Sequence, residues 1–165
     1  MKILVTGGAG YIGSNLIKHL RDTTNASITS IDNYFIGQVT NHISGVEYRQ
    51  TNTWDIGELE RQDVVYHFGE YSRVVPSFKD VEYLMTTNLW GTSRVLEQCK
   101  KWNAKLIYSA SSSKFGGNEN LSPYSWVKAK MVELIKNYSE WYGLKYEVCY
   151  FYNVYGKNHI AEGDY

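Results

Sequence analysis

The stretch Thr6–Ser14, TGGAGYIGS, constrains the fold more than any other in the chain. It lies between an apolar run, Lys2–Thr6, and an amphipathic pattern, Tyr11–Arg21. Gly8, Gly10 and Gly13 satisfy the spacing G-x-G-x-x-G, and Gly7, Gly10 and Gly13 satisfy the looser G-x-x-G-x-x-G. Residues without side chains let the backbone turn tightly and approach a pyrophosphate, whose charge then rests on the N-terminus of the following helix. A glycine triplet alone is a weak signal; a strand before it and a helix after it give it weight.

The rest of the chain keeps the same alternation. Ser27–Ile31, Val46–Gln50, Asp63–Phe68, Lys105–Ala110 and Lys145–Tyr152 read as further strands, with a short, weak helix between the second and third. Asp80–Trp102 reads as one long helix from the spacing of Val81, Leu84, Met85, Leu89, Val95 and Leu96. Gly91 interrupts it at a cost of about 1 kcal/mol relative to alanine, which predicts close packing there. Ser122 is placed as an N-cap with Pro123 at the first helical position, opening a helix that runs to Tyr142 and ends at Gly143. Six strands with intervening helices predict an α/β fold, an open, doubly wound, mostly parallel sheet of the Rossmann type. At 165 residues the chain is long enough for one such domain with a sizeable core.

The second strand ends in Asp32, nineteen residues beyond Gly13. An acid there accepts hydrogen bonds from a ribose 2′-hydroxyl and repels a 2′-phosphate. Asn33 and Tyr34 follow it, with no arginine, so the pattern favours NAD over NADP.

Composition excludes several functions. Lysine plus arginine equal aspartate plus glutamate at 17 each, which leaves no electrostatic footprint for nucleic acid or an anionic membrane. Cys99 and Cys149 are far apart and form no Cys-x-x-Cys, so both read as small hydrophobes in a reducing compartment. His19, His42, His67 and His159 show no metal-ligand spacing and read as solvated or hydrogen-bonded. The first apolar run is too short for a signal peptide and no later one approaches a membrane span, which predicts a soluble, cytoplasmic protein.

Ser122–Lys128, SPYSWVK, sets Tyr124 four residues before Lys128. With 15 tyrosines and 12 lysines in the chain, about one Tyr-x-x-x-Lys match arises by chance, so the spacing carries little weight by itself. On a helix the two share a face, and a lysine charge beside a phenol favours the phenolate.

Taken together, TGGAGYIGS, IDNYFIG, DVVYHFG, TTNLWGTSRVLE, LIYSASSSKFG, SPYSWVKAKMVE and FYNVYG resemble, in order, the extended branch of the short-chain dehydrogenase/reductase superfamily, and in particular its NAD-dependent nucleotide-sugar epimerases. The resemblance covers essentially the whole chain. It implies NAD as cofactor, with Tyr11 and Ile12 beside the pyrophosphate next to Gly7, Gly10 and Gly13, and Asp32 and Asn33 on the adenosine ribose. Asn52 and Thr53 fall at the adenine pocket, in place of the family's usual Asp-Ile. Phe68, Phe151 and Asn88 would line the cofactor groove, Phe151 in place of a tyrosine and Asn88 near the catalytic cluster. The catalytic set would be Ser111, Tyr124 and Lys128, with Tyr124 and Lys128 also touching the cofactor. Ser111, Tyr124 and Asn153 would meet the substrate, a nucleotide sugar with UDP-sugars foremost. The helices at about 80–102 and 122–142 would pair two copies into a homodimer.

The chain also departs from the pattern. Relatives continue for roughly as many residues again, so residues 1–165 read as the NAD-binding domain carrying the catalytic residues, with the C-terminal substrate domain absent. The Ser113–Leu121 loop is short, Tyr150 replaces an arginine, and Glu70 stands where small residues normally follow the fourth strand. Ser112 and Ser113 stand where the family's 4,6-dehydratases place an Asp-Glu pair, which favours epimerisation. Three alternatives stay open: a catalytically silent dinucleotide-binding module or product of a truncated gene, a dehydratase or reductase of the same family, and an interaction protein.

Overall fold

A computed structural model describes residues 1–116 and 118–156. The strands are β1 (Lys2–Thr6), β2 (Ser27–Asp32), β3 (Glu47–Gln50), β4 (Val64–His67), β5 (Lys105–Ser111) and β6 (Tyr146–Phe151). They form one sheet in the order β3-β2-β1-β4-β5-β6, every pair parallel. The strands lie within two residues of where the hydrophobic pattern puts them, and so do α1 (Tyr11–Thr23) and α4 (Pro123–Tyr142).

The central strand shows why the sheet is covered on both sides. Alternate residues of a strand face opposite ways. Ile3 and Val5 pack with Ile17, Leu20 and Ile28 under α1, while Leu4 joins Val65, Leu96, Leu106, Val127 and Ile135 in the larger core on the other face. The sheet reverses its strand order at β1 and β4, and in such sheets a crevice opens beyond the carboxyl ends of those strands.

The long helix expected over Asp80–Trp102 is three pieces: α2 (Val81–Leu84), a π-helical turn (Met85–Trp90) and α3 (Gly91–Trp102). A π turn carries an extra residue per turn and shifts the register of everything after it. Here it brings Thr87 and Asn88 inward, both buried. Gly91 answers the packing expectation: a Cβ there would lie 2.2 Å from Thr53 Oγ1.

At the start of α4 the Ser122 hydroxyl accepts the Ser125 N–H at 3.1 Å, and at its end Gly143 takes a left-handed φ of 69°. Cys99 is buried as a small hydrophobe, whereas Cys149 is exposed, because β6 lies at the sheet edge and its alternation turns Glu147 and Cys149 outward. His67 and His42 make hydrogen bonds. His159 lies outside the described residues.

Candidate functional site

A groove of about 750 Å³ runs across the carboxyl ends of the strands. Its first wall is the β1–α1 turn. Gly7 has a φ of +71°, and a Cβ there would fall 2.8 Å from the backbone of Phe68 and Gly69 at the end of β4. Only glycine meets both conditions, so the turn and the strand end can touch. The Gly7 N–H donates to Ile31 O at 2.8 Å and the Gly10 N–H to Gly7 O at 3.1 Å. Helix α1 then begins at Tyr11 with no side-chain cap. Its positive end is left facing the groove, where Gly10, Tyr11, Ile12 and Gly13 form the lining.

One end of the groove is built on β2. Asp32 is buried, its carboxylate accepting the N–H of Ala9 at 2.9 Å and of Tyr34 at 2.8 Å. Burial pushes its carboxyl above the usual range, and the two N–H bonds oppose that shift. The Asn33 amide donates to Asn52 Oδ1 and to the Tyr83 hydroxyl, both at 3.1 Å. Phe35 and Tyr83 pack beside them, their rings tilted by 36° with centroids 4.7 Å apart. Thr53 also lines this end, and its buried Oγ1 has no hydrogen-bond partner.

The other end is built from β5, α4 and β6. Ser111 closes β5, its Oγ accepting the Ser113 N–H at 3.2 Å. Tyr124 is the second residue of α4 and its N–H donates to Ser77 Oγ at 3.4 Å. Lys128 follows one turn later. Ser111, Tyr124, Lys128, Phe151 and Asn153 all line the groove, and Phe68 meets Phe151 edge-on at 6.0 Å. Asn88 does not line it. It is fully buried behind the wall, accepting the Tyr71 N–H at 2.7 Å and donating to Tyr71 O at 2.8 Å, and so fixes the segment after β4.

Lys128 has a counter-charge that the spacing with Tyr124 does not reveal. Its ammonium is buried, ion-paired with Glu70 and bonded to Ser109 O. Glu70 also accepts from the Thr92 and Tyr108 hydroxyls, each at 3.0 Å. Behind Thr92 the bonds continue through His67 Nε2 at 2.9 Å and from His67 Nδ1 to Thr6 Oγ1 at 2.7 Å. Thr6 Oγ1 already accepts the N–H groups of Phe68 and Gly69, so its own proton goes to Nδ1. His67 is therefore the Nε2–H tautomer, donating to Thr92, which donates to Glu70. Burial holds His67 neutral, with its pKa lowered to about 4. Burial, then the Glu70 charge, keeps Tyr108 a phenol. Sequence reasoning noted Glu70 only as an oddity; the available signal was a lysine on the inner face of α4, which needs a counter-charge.

These features fit a dinucleotide: an uncapped helix end for a pyrophosphate, a buried acid and an orphaned hydroxyl at one end, and a Ser–Tyr–Lys set at the other. Fold and groove together define a dinucleotide-binding α/β domain with a serine, a tyrosine and a lysine at the far end. The chain belongs to the NAD dependent epimerase/dehydratase family, whose profile matches residues 3–164. It is 29% identical to a dTDP-glucose 4,6-dehydratase of Mycolicibacterium smegmatis, over 94% of this chain and 54% of that protein. Among solved structures it is similar to a UDP-glucose 4-epimerase from Thermotoga maritima with UDP-glucose, at 30% identity and a TM-score of 0.88 over 94% of this chain and 57% of that one. It is also similar to the Thermus thermophilus UDP-glucose 4-epimerase in complex with NAD, at 28% identity and a TM-score of 0.87 over 99% and 59%. The chain thus spans little more than half the length of these relatives.

Proposed function

We propose that the chain binds NAD in the groove and is the dinucleotide-binding, catalytic portion of a nucleotide-sugar epimerase acting on a UDP-sugar. The observation that carries this reading is that Ser111, Tyr124 and Lys128 line the same groove as the glycine turn and Asp32. NAD, when bound, supplies a hydride acceptor that also returns the hydride. Asp32 and Asn33 would hold the adenosine ribose, Asn52 and Thr53 the adenine, and the Tyr11–Gly13 turn the pyrophosphate. Tyr124, as the phenolate, takes the proton of the sugar carbinol and, as the phenol so formed, gives it back. Ser111 hydrogen-bonds the same oxygen and keeps it in line. Ser112 and Ser113 line the groove without a carboxyl group, which favours epimerisation over dehydration.

The test is calorimetric titration with NAD, followed by absorbance at 340 nm on adding UDP-sugars. Wild type is expected to bind NAD and to show transient reduction. Tyr124→Phe should keep the binding and lose at least a hundredfold of the reduction rate, the range of a lost general base. No binding at millimolar NAD overturns the reading. Binding with no reduction by any UDP-sugar supports a silent dinucleotide-binding module instead.

A homodimer through the outer faces of α2–α3 and α4 is part of the same proposal, supported by the exposed Trp90, Trp141 and Tyr142. Sedimentation showing a monomer at micromolar concentration would oppose it. No helix among the described residues is long and apolar enough to cross a membrane, and with the two free cysteines this fits a cytoplasmic setting.

A further inference from the structure

The groove carries a positive side chain whose charge is already matched from below. Glu70 and Lys128 are both buried, with side chains 3% and 6% exposed. Two of the three N–H groups of Lys128 are taken, by Glu70 and by Ser109 O, and Lys128 still lines the groove. Glu70 in turn receives Lys128, Tyr108 and Thr92, and the chain from Thr6 through His67 to Thr92 has every proton pointing toward it. A carboxylate with that many donors aimed at it is held in one place.

We propose that Glu70 is a positioning residue: it fixes the Lys128 ammonium at the groove floor and balances its charge, so that this end of the groove accepts the cationic ring of an oxidised nicotinamide. The inference rests on the NAD reading above. With the adenosine at the Asp32 end and the pyrophosphate at the start of α1, the nicotinamide falls at the Ser111–Tyr124–Lys128 end. Oxidised and reduced nicotinamide differ by one positive charge on that ring. An unmatched ammonium beneath it therefore disfavours the oxidised form and barely affects the reduced one.

The charged and titratable groups around the pair are few. The segment after β4 brings Glu70 and, on the groove wall, Arg73; β4 brings the neutral His67; β5 brings Tyr108; and α4 itself brings Tyr124. Helix α3 meets α4 at Tyr138, where Glu97 and Lys100 pair with each other. Lys105 and Glu147 pair at the opposite end of β5 and β6. The pi-helical turn carries no charged side chain, and in α2 Glu82 is exposed.

The experiment measures dissociation constants of the full 165-residue chain for NAD and for NADH by calorimetry and nicotinamide fluorescence, and takes their ratio. A purely structural role weakens both alike and leaves the ratio still. In Glu70→Gln the ratio is expected to move about tenfold toward NADH, the order of one unmatched charge acting across a protein interior. That equals about 30 mV in the two-electron potential of the bound cofactor. Lys128→Met should move the ratio about tenfold toward NAD, and the double variant should return it to wild type. Where Glu70→Gln does not fold, Lys128→Met and the double variant decide. A ratio unchanged across the variants that fold overturns the role of Glu70 and leaves NAD binding standing. Failure of wild type to bind either nucleotide overturns the NAD reading and this inference with it.

Discussion

His67 has no access to water and is held as a neutral ring between Thr6 and Thr92. Its pKa lies at about 4 in the folded chain, against about 6.5 when unfolded. The unfolded chain therefore takes up a proton first on acidification. The contribution is intact above about pH 6.5, is lost as pH falls toward the folded value, and changes no further below it, with a slope of about 1 kcal/mol per pH unit between. Urea unfolding from pH 7 to 4.5 should show that decline, and His67→Gln should flatten it; equal slopes would remove His67 from the account. The contrast with Glu70 shows what single residues reveal in a sequence. That Asp32 and Tyr124 reach the groove was legible because a strand end and a helix start place them, whereas Ser111 was singled out by the family resemblance. Glu70 was not, because its role depends on Lys128, 58 residues away, and on a burial that no local pattern encodes.

At the scale of elements, the π turn between α2 and α3 is the part that the pattern of apolar residues missed. Val81, Leu84, Met85, Leu89, Val95 and Leu96 fit one helix by spacing, and one extra residue in a turn hardly disturbs such a count. The glycine that follows was readable, and its contact is measurable. Adding a methyl at Gly91 improves helix propensity by about 1 kcal/mol but drives a carbon into Thr53 Oγ1, an overpacking of about 1–3 kcal/mol. Gly91→Ala should thus destabilise by about 1 kcal/mol in urea. Thr53→Ala should cost little, because its hydroxyl has no partner to lose, and the double variant should recover most of the loss. Additive effects in that cycle would mean that the two residues do not press on each other.

At the scale of the molecule, the order of strands was readable as a class rather than as a list of neighbours. Alternating strands and helices imply a parallel sheet, but only the structure shows β1 flanked by β2 and β4. A ligand that binds only the folded chain stabilises it by about 2.7 kcal/mol at a hundredfold excess over its dissociation constant. For a domain of this size that is a rise in Tm of roughly 5–10 °C. Calorimetry with NAD should show it, and NADP at the same concentration should give less, because the Asp32 carboxylate opposes a 2′-phosphate. Equal shifts would sink the preference. The place of β1 at the middle of the sheet also has a meaning in time. Ile3 lies opposite Val64, so β1, once made, waits about 60 residues for its inner neighbour. At a synthesis rate of about 5–20 residues per second, that is roughly 3–12 s on the ribosome. Through those seconds the nascent chain carries its most apolar strand with one flank open, and the rate of elongation sets how long a stray strand has to pair there first.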